Sequence, residues 1–195
     1  MDRRELLKMV ALLTGGAVIG GEVFLSAGCN NPDTTAKTDT TGAGAFSNDD
    51  IAYLDEVAET ILPKTSTPGA KDAKVGAFMT VMVNDCYNEA DQKTFHEGMK
   101  KLEEASNKAN STGFIKSTPE QRKNLLIQLD KEAKDYNKSK KPEDANHYFT
   151  MMKQLTLTGF FTSKPGATEA LRYVAVPGKY EGCVPYKKGD KAWAT

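Results

Sequence analysis

From Ile51 onward, apolar residues recur every three or four positions: Ile51, Leu54, Val57, Ala58, Ile61 and Leu62. That spacing lines one face of an α-helix. Ser47 and Asp50 precede the run at capping-box spacing, and Pro63 ends it, because proline lacks the N–H that helix continuation needs. "PKTSTPGAKDA" then reads as a loop with a turn at Pro68-Gly69. Val75, Phe78, Met79, Met82, Val83 and Cys86 repeat the helical spacing, which puts Cys86 on the inward face of a second helix. A third, more polar helix, from about Glu89 to Asn107, rests on Phe95, Met99 and Leu102.

"STPEQRKNLLIQLDKEAKDY" carries the clearest start signal in the chain. Thr118 caps, Pro119 takes the first helical position, and Gln121 completes the capping box. Leu125, Leu126 and Leu129 form the inward face of this fourth helix. After the charged linker "KSKKPED", a fifth helix is expected from about Pro142 to Phe161, with Tyr148, Phe149, Met152, Leu155 and Leu157 inside. A short helix is expected around Ala167 to Tyr173. The tail "VPGKYEGCVPYKKGDKAW" is punctuated by proline and glycine, and reads as an ordered coil packed on the helices. Strand-like alternation is essentially absent, so the class is all-α: a compact bundle of about five to six helices with an ordered C-terminal coil.

The first 45 residues follow a different pattern. Val10 to Gly21 is an apolar, glycine-rich run behind Arg3, Arg4 and Lys8, and Glu22 interrupts it. A membrane-spanning helix takes roughly 20 apolar residues, so a cleaved targeting segment is the better reading. Arg3-Arg4-Glu5-Leu6-Leu7-Lys8 resembles a twin-arginine export signal, with Asp2 where Ser or Thr is commoner. Ser26-Ala27-Gly28-Cys29 resembles a bacterial lipobox, with Cys29 the residue that takes the lipid. An ordinary export signal is the alternative for the first, and cleavage without lipid for the second. A lipidated Cys29 would hold the chain on a membrane without spanning it. Asn30 to Ala45, "NNPDTTAKTDTTGAGA", has no apolar periodicity and forms a flexible tether with a reach of about 20–24 Å. The organisation is thus a signal at 1–28, a tether at 29–45 and a helical domain at 46–195, exported to the periplasmic side of a bacterial membrane.

Composition narrows the function by exclusion. Lys plus Arg and Asp plus Glu each number 26, a formal net charge of zero. Nucleic-acid binding needs a basic footprint, and this balance speaks against it. Of 3 cysteines, Cys29 belongs to the lipobox, which leaves Cys86 and Cys183. In an oxidising compartment these two either pair or remain as buried free thiols. A disulfide would close a loop of nearly 100 residues and stabilise by about 4.7 kcal/mol before strain is subtracted. No Cys-x-x-Cys-His occurs, so no covalent c-type haem is expected, and His and Cys do not cluster at zinc spacing.

"IAYLDEVAETILPKTSTPGAKDAKVGAFM", "TLTGFFTSKPGATEALRYV" and the ending "PGKYEGCVPY", behind a twin-arginine start, resemble the gluconate 2-dehydrogenase subunit 3 family over nearly the whole chain. The Ile-Leu-Pro helix end before the Thr-Pro-Gly-Ala loop is the most specific piece. The resemblance implies a helical small subunit with no accepted active site of its own. It further implies a large partner that resembles glucose–methanol–choline oxidoreductases and binds FAD, with a separate cytochrome c often accepting the electrons. That partner commonly lacks an export signal, so the small subunit supplies one for both. A flavoprotein must fold around FAD before export, and twin-arginine export carries folded cargo. The lipobox would add anchoring to the same chain.

Site candidates on the chain itself are few. No catalytic, cofactor-binding or metal-binding residue is assigned here, and FAD is expected on the partner. His96 and His147 read as surface histidines, and Asp55, Glu56 and Glu59 either as paired carboxylates or as an exposed helix face. The aromatic ending, Tyr173, Tyr180, Tyr186 and Trp193, is a candidate partner interface, since Tyr and Trp are enriched at such surfaces. The same residues could instead close the core. Besides an export and stabilising subunit, the sequence leaves open a stand-alone envelope lipoprotein that binds a ligand or another envelope protein. An enzyme in its own right would need a pocket of perturbed acids or a metal.

Overall fold

The computed structural model describes residues 46–176, 178–179 and 181–194. Arg3, Arg4, Cys29 and the whole of the tether lie outside the described residues, as does Tyr180. Five α-helices follow in order: α1 (Asn48–Ile61), α2 (Val75–Cys86), α3 (Glu89–Asn110), α4 (Pro119–Ser139) and α5 (Tyr148–Thr162). A 3₁₀ turn, Phe114–Lys116, links α3 to α4. The class is all-α, as the spacing of apolar positions requires.

Local chemistry fixes the helix starts. The Ser47 hydroxyl accepts from the Asp50 N–H at 3.2 Å while Asp50 Oδ2 accepts from the Ser47 N–H at 2.9 Å. Thr118 and Gln121 make the same reciprocal pair at α4, with Pro119 just inside. The Asn88 side chain caps α3 by accepting from the Asp91 N–H at 2.9 Å. Each such cap is worth about 1 kcal/mol.

Leu54, Val57, Val75, Met79, Val83, Phe95, Leu102, Phe114 and Met152 are fully buried and form the centre of the core. Leu125, Leu126 and Leu129 seal it from α4, and Phe149, Leu155 and Phe160 from α5. Gly98 on α3 lies directly against the Cβ and ring of Tyr148, so α3 and α5 approach where no side chain stands between them. Gly159 on α5 meets the Phe78 ring in the same way.

Four expectations need correction. α5 begins at Tyr148 and not near Pro142, because Lys141–Asp144 closes a turn (Asp144 N–H to Lys141 carbonyl, 3.1 Å; Lys141 N–H to Asp144 Oδ2, 2.9 Å). Leu157 is exposed, and Thr156 takes the inward position by donating its hydroxyl to the Met152 carbonyl at 2.8 Å. The short helix near residue 167 is a single π-type turn, Gly166–Ala170, closed by the Leu171 N–H on the Gly166 carbonyl. The segment after it is not packed on the helices: most of its described residues are exposed. It is instead tied off by two short parallel strands, β1 (Arg172–Tyr173) and β2 (Trp193–Ala194), with Arg172 opposite Trp193.

Candidate interaction surface

α1 presents Asp55, Glu56 and Glu59 toward the loop that joins it to α2. Glu59 accepts from two loop N–H groups, Lys64 at 2.8 Å and Lys71 at 2.9 Å. Asp55 accepts from the Gly76 N–H at 2.7 Å, and within the loop Asp72 accepts from the Gly69 N–H at 3.0 Å. These carboxylates therefore serve backbone N–H groups of the α1–α2 loop and of the first turn of α2, and do not converge as an acid–base pair. Glu56 holds Lys71 and Arg122. Partial burial opposes its ionisation, but the two cations outweigh that and hold its carboxyl below the usual range. Arg122 in turn donates to the carbonyls of Ser117 (3.0 Å) and Ile115 (2.7 Å) and lies 5.7 Å from the Phe114 ring centroid. Only its distance from Glu56 along the sequence hid this pairing.

Neither histidine is a plain surface residue. His96 stacks on Phe46 with ring centroids 4.3 Å apart, its Nε2 buried without a hydrogen-bond partner. His147 precedes α5, and its Nδ1 accepts from the Phe149 N–H at 3.2 Å. Burial pushes the His147 pKa down, and the nearby Glu132 only partly offsets that. Among the described residues, no three His, Cys, Asp or Glu side chains gather where they could hold a metal ion.

The Cys86–Cys183 disulfide is not formed: both cysteines are free and exposed. Cys86 is the last residue of α2, where the helical phase no longer dictates a buried side chain, so its assignment to the inward face is also corrected. Cys183 lies in the exposed coil.

An open groove of about 570 Å³ separates the first loop from the segment that follows α5; Lys64, Thr67, Pro68, Lys164, Pro165 and Glu169 line it. Two stretches distant in sequence, "KTSTP" and "KPGATE", thus face one another. Beside the groove, the Lys191 ammonium donates to the Glu169 carbonyl and ties the tail to this wall. The tail's strand pair is held by the Arg172 N–H on the Ala192 carbonyl at 2.8 Å and the Val174 N–H on the Ala194 carbonyl at 3.1 Å. The Arg172 guanidinium stacks over the Trp193 ring, 3.7 Å from its centroid, a cation–π contact. Of the aromatic candidates, Tyr173, Tyr186 and Trp193 are all more than half exposed, and Val176 is 80% exposed. They do not close the core. Arg172, Lys191 and Glu169, which organise this surface, act across about 20 residues of chain and leave no local sequence signal.

The fold is a helical domain that presents a groove and an exposed tail carrying Tyr173, Tyr186 and Trp193. The chain belongs to the gluconate 2-dehydrogenase subunit 3 family, whose model matches residues 48–178. Membership makes it the small subunit of a dehydrogenase complex and implies association with a dehydrogenase large subunit. No curated protein and no solved structure matches the chain.

Proposed function

We propose that this chain is the non-catalytic small subunit of a periplasmic, membrane-tethered flavin-dependent dehydrogenase of the gluconate or sugar type. It supplies twin-arginine export through Arg3 and Arg4, stabilises the large subunit and anchors it through lipidated Cys29. The large subunit is an FAD-binding protein of the glucose–methanol–choline type, and a cytochrome c subunit takes the electrons onward. FAD belongs on that partner. The observation that carries the reading is family membership across the helical domain. The exposed tail, with Tyr173, Tyr186 and Trp193 turned outward, supports it; Tyr180, outside the described residues, belongs to the proposed interface on its sequence alone.

The test is genetic and biochemical. Deleting this chain should leave the co-expressed flavoprotein in the cytoplasm, and changing Arg3 and Arg4 together to Lys should do the same. Changing Cys29 to Ala should move the complex from the membrane to the soluble periplasmic fraction. Export and full activity of the flavoprotein without this chain would sink the proposal.

A further inference from the structure

The tail differs from the bundle in charge as well as in exposure. Between Arg172 and Ala194 the sequence holds five basic and two acidic side chains, net +3. Residues 46–171 hold 17 basic and 19 acidic side chains, net −2. The excess is not neutralised locally. Lys179 pairs with Glu181, but Arg172, Lys187, Lys188 and Lys191 form no salt bridge among the described residues.

The tail is also shaped before anything binds it. β1 and β2 bring its two ends together, and the Arg172–Trp193 stack clamps them. Near the tip, Asp190 Oδ2 accepts from the Lys187 N–H at 2.9 Å while the Asp190 N–H returns to the Lys187 carbonyl at 3.0 Å. Gly189 within this turn has φ +98°, a conformation L side chains rarely adopt. The turn carries Lys187 and Lys188 outward beside Tyr186, which is 76% exposed. A closed loop loses less conformational freedom on association than a free coil, so more of its contact energy appears as affinity.

We infer that this clamped, basic loop docks on an acidic surface of the dehydrogenase large subunit, with Tyr186 as apolar anchor and Lys187 and Lys188 as its charged rim. The inference rests on the reading of the chain as a large-subunit partner and adds the chemistry of the counter-surface. A net-positive loop on a net-negative bundle gives the molecule a directional field, which speeds encounter and sets orientation. Trp193 does not have to touch the partner; its role is positioning, through the clamp.

The experiment uses the purified complex of the full chain with its co-expressed large subunit. Association is measured by light scattering and surface binding from about 50 to about 500 mM NaCl, over which the Debye length falls from roughly 14 to roughly 4 Å. The wild type is compared with Lys187→Glu/Lys188→Glu, the milder Lys187→Gln/Lys188→Gln, and Trp193→Ala. The double charge reversal should weaken Kd by about tenfold or more at low salt and flatten its salt dependence. The Gln pair should lie between, and Trp193→Ala should weaken Kd at every salt concentration while the salt slope survives. Unchanged helical circular dichroism certifies the bundle, since every altered residue is exposed. Variants that bind like the wild type would overturn the docking loop while leaving the large-subunit reading intact. A wild-type chain that never binds the large subunit would overturn both. Vesicles of equal parts phosphatidylcholine and phosphatidylglycerol form the last arm. If the lysine variants lose these vesicles yet keep the large subunit, the loop serves an anionic lipid surface and the inference falls.

Discussion

Arg122 of α4 reaches Glu56 of α1 across 66 positions of sequence, and it is the only arginine among the described residues of the helical bundle before Arg172. With its other nitrogens on the Ser117 and Ile115 carbonyls, it ties α1, the 3₁₀ turn and α4 together. Removing it leaves two carbonyls and a carboxylate short of donors, so Arg122→Ala should cost about 1–3 kcal/mol in urea unfolding. Arg122→Lys should recover only part of that, since an ammonium cannot reproduce the planar fork.

The same pair sets a pH dependence. The folded-state pKa of Glu56 is depressed, so its contribution is fully present above the unfolded value of about 4.3 and is lost as pH falls through the folded value. Replacing Glu56 with Gln should lower stability at neutral pH and flatten the acid limb of the stability profile below about pH 4.5. An acid limb identical to the wild type would show that the carboxylate contributes nothing.

His147 titrates in a higher window. As neutral imidazole, its Nδ1 accepts from the Phe149 N–H; protonation removes that acceptor and charges a partly buried ring. Its folded pKa lies below the unfolded value of about 6.5, so its contribution is complete above that pH and is lost as pH falls through the folded value. The groups facing it are Glu132, Lys101, Tyr136 and Tyr148. NMR titration should find the His147 pKa below that of a model peptide, and His147→Asn, which keeps a capping oxygen, should reduce the loss of stability near pH 6.

Gly98→Ala tests the contact between α3 and α5. Alanine is about 1 kcal/mol better than glycine in a helix interior, so propensity alone favours the change. The added Cβ, however, meets the Tyr148 Cβ, an atom fixed to the α5 backbone that cannot swing aside. Overpacking of this kind costs about 1–3 kcal/mol. The net outcome should be a lower melting temperature, and an unchanged or raised one would mean that α3 and α5 part easily here.

The free cysteines give a simple contrast. With no disulfide between Cys86 and Cys183, reduction with dithiothreitol should leave the melting temperature unchanged. Peptide mapping after labelling of the native protein should find both thiols modified. A drop on reduction approaching the several kcal/mol of a long-loop disulfide would contradict the structure.

The helical class, the Ser47 and Thr118 caps and the inward positions Leu54, Met79, Phe95 and Leu125 were all legible, because each rests on chemistry within one or two turns of its own residue. Legibility failed where the deciding contact was distant. Glu59 reads as a solvated glutamate until the loop at Lys64 and Lys71 folds over it. The β1–β2 pair is invisible to periodicity, since two-residue strands joined across 19 intervening residues leave no alternation to find. Helical phase places Cys86 inward, but Cys86 is the last residue of α2, where that phase no longer binds. The aromatic residues of the tail mark it as a candidate surface, yet nothing in its composition shows the Arg172–Trp193 stack that shapes it.

The carboxylates of α1 also bear on how the chain acquires its structure in time. Their hydrogen bonds to the loop and to Gly76 span 5, 12 and 21 residues, and α1 packs closely on α2. Short spans close quickly, because little chain entropy is lost before the first contact forms. The α1–loop–α2 hairpin can therefore assemble while α4 and α5 are still leaving the ribosome. It would offer the later helices a finished template, and its amides should be among the last to exchange when the native domain opens locally.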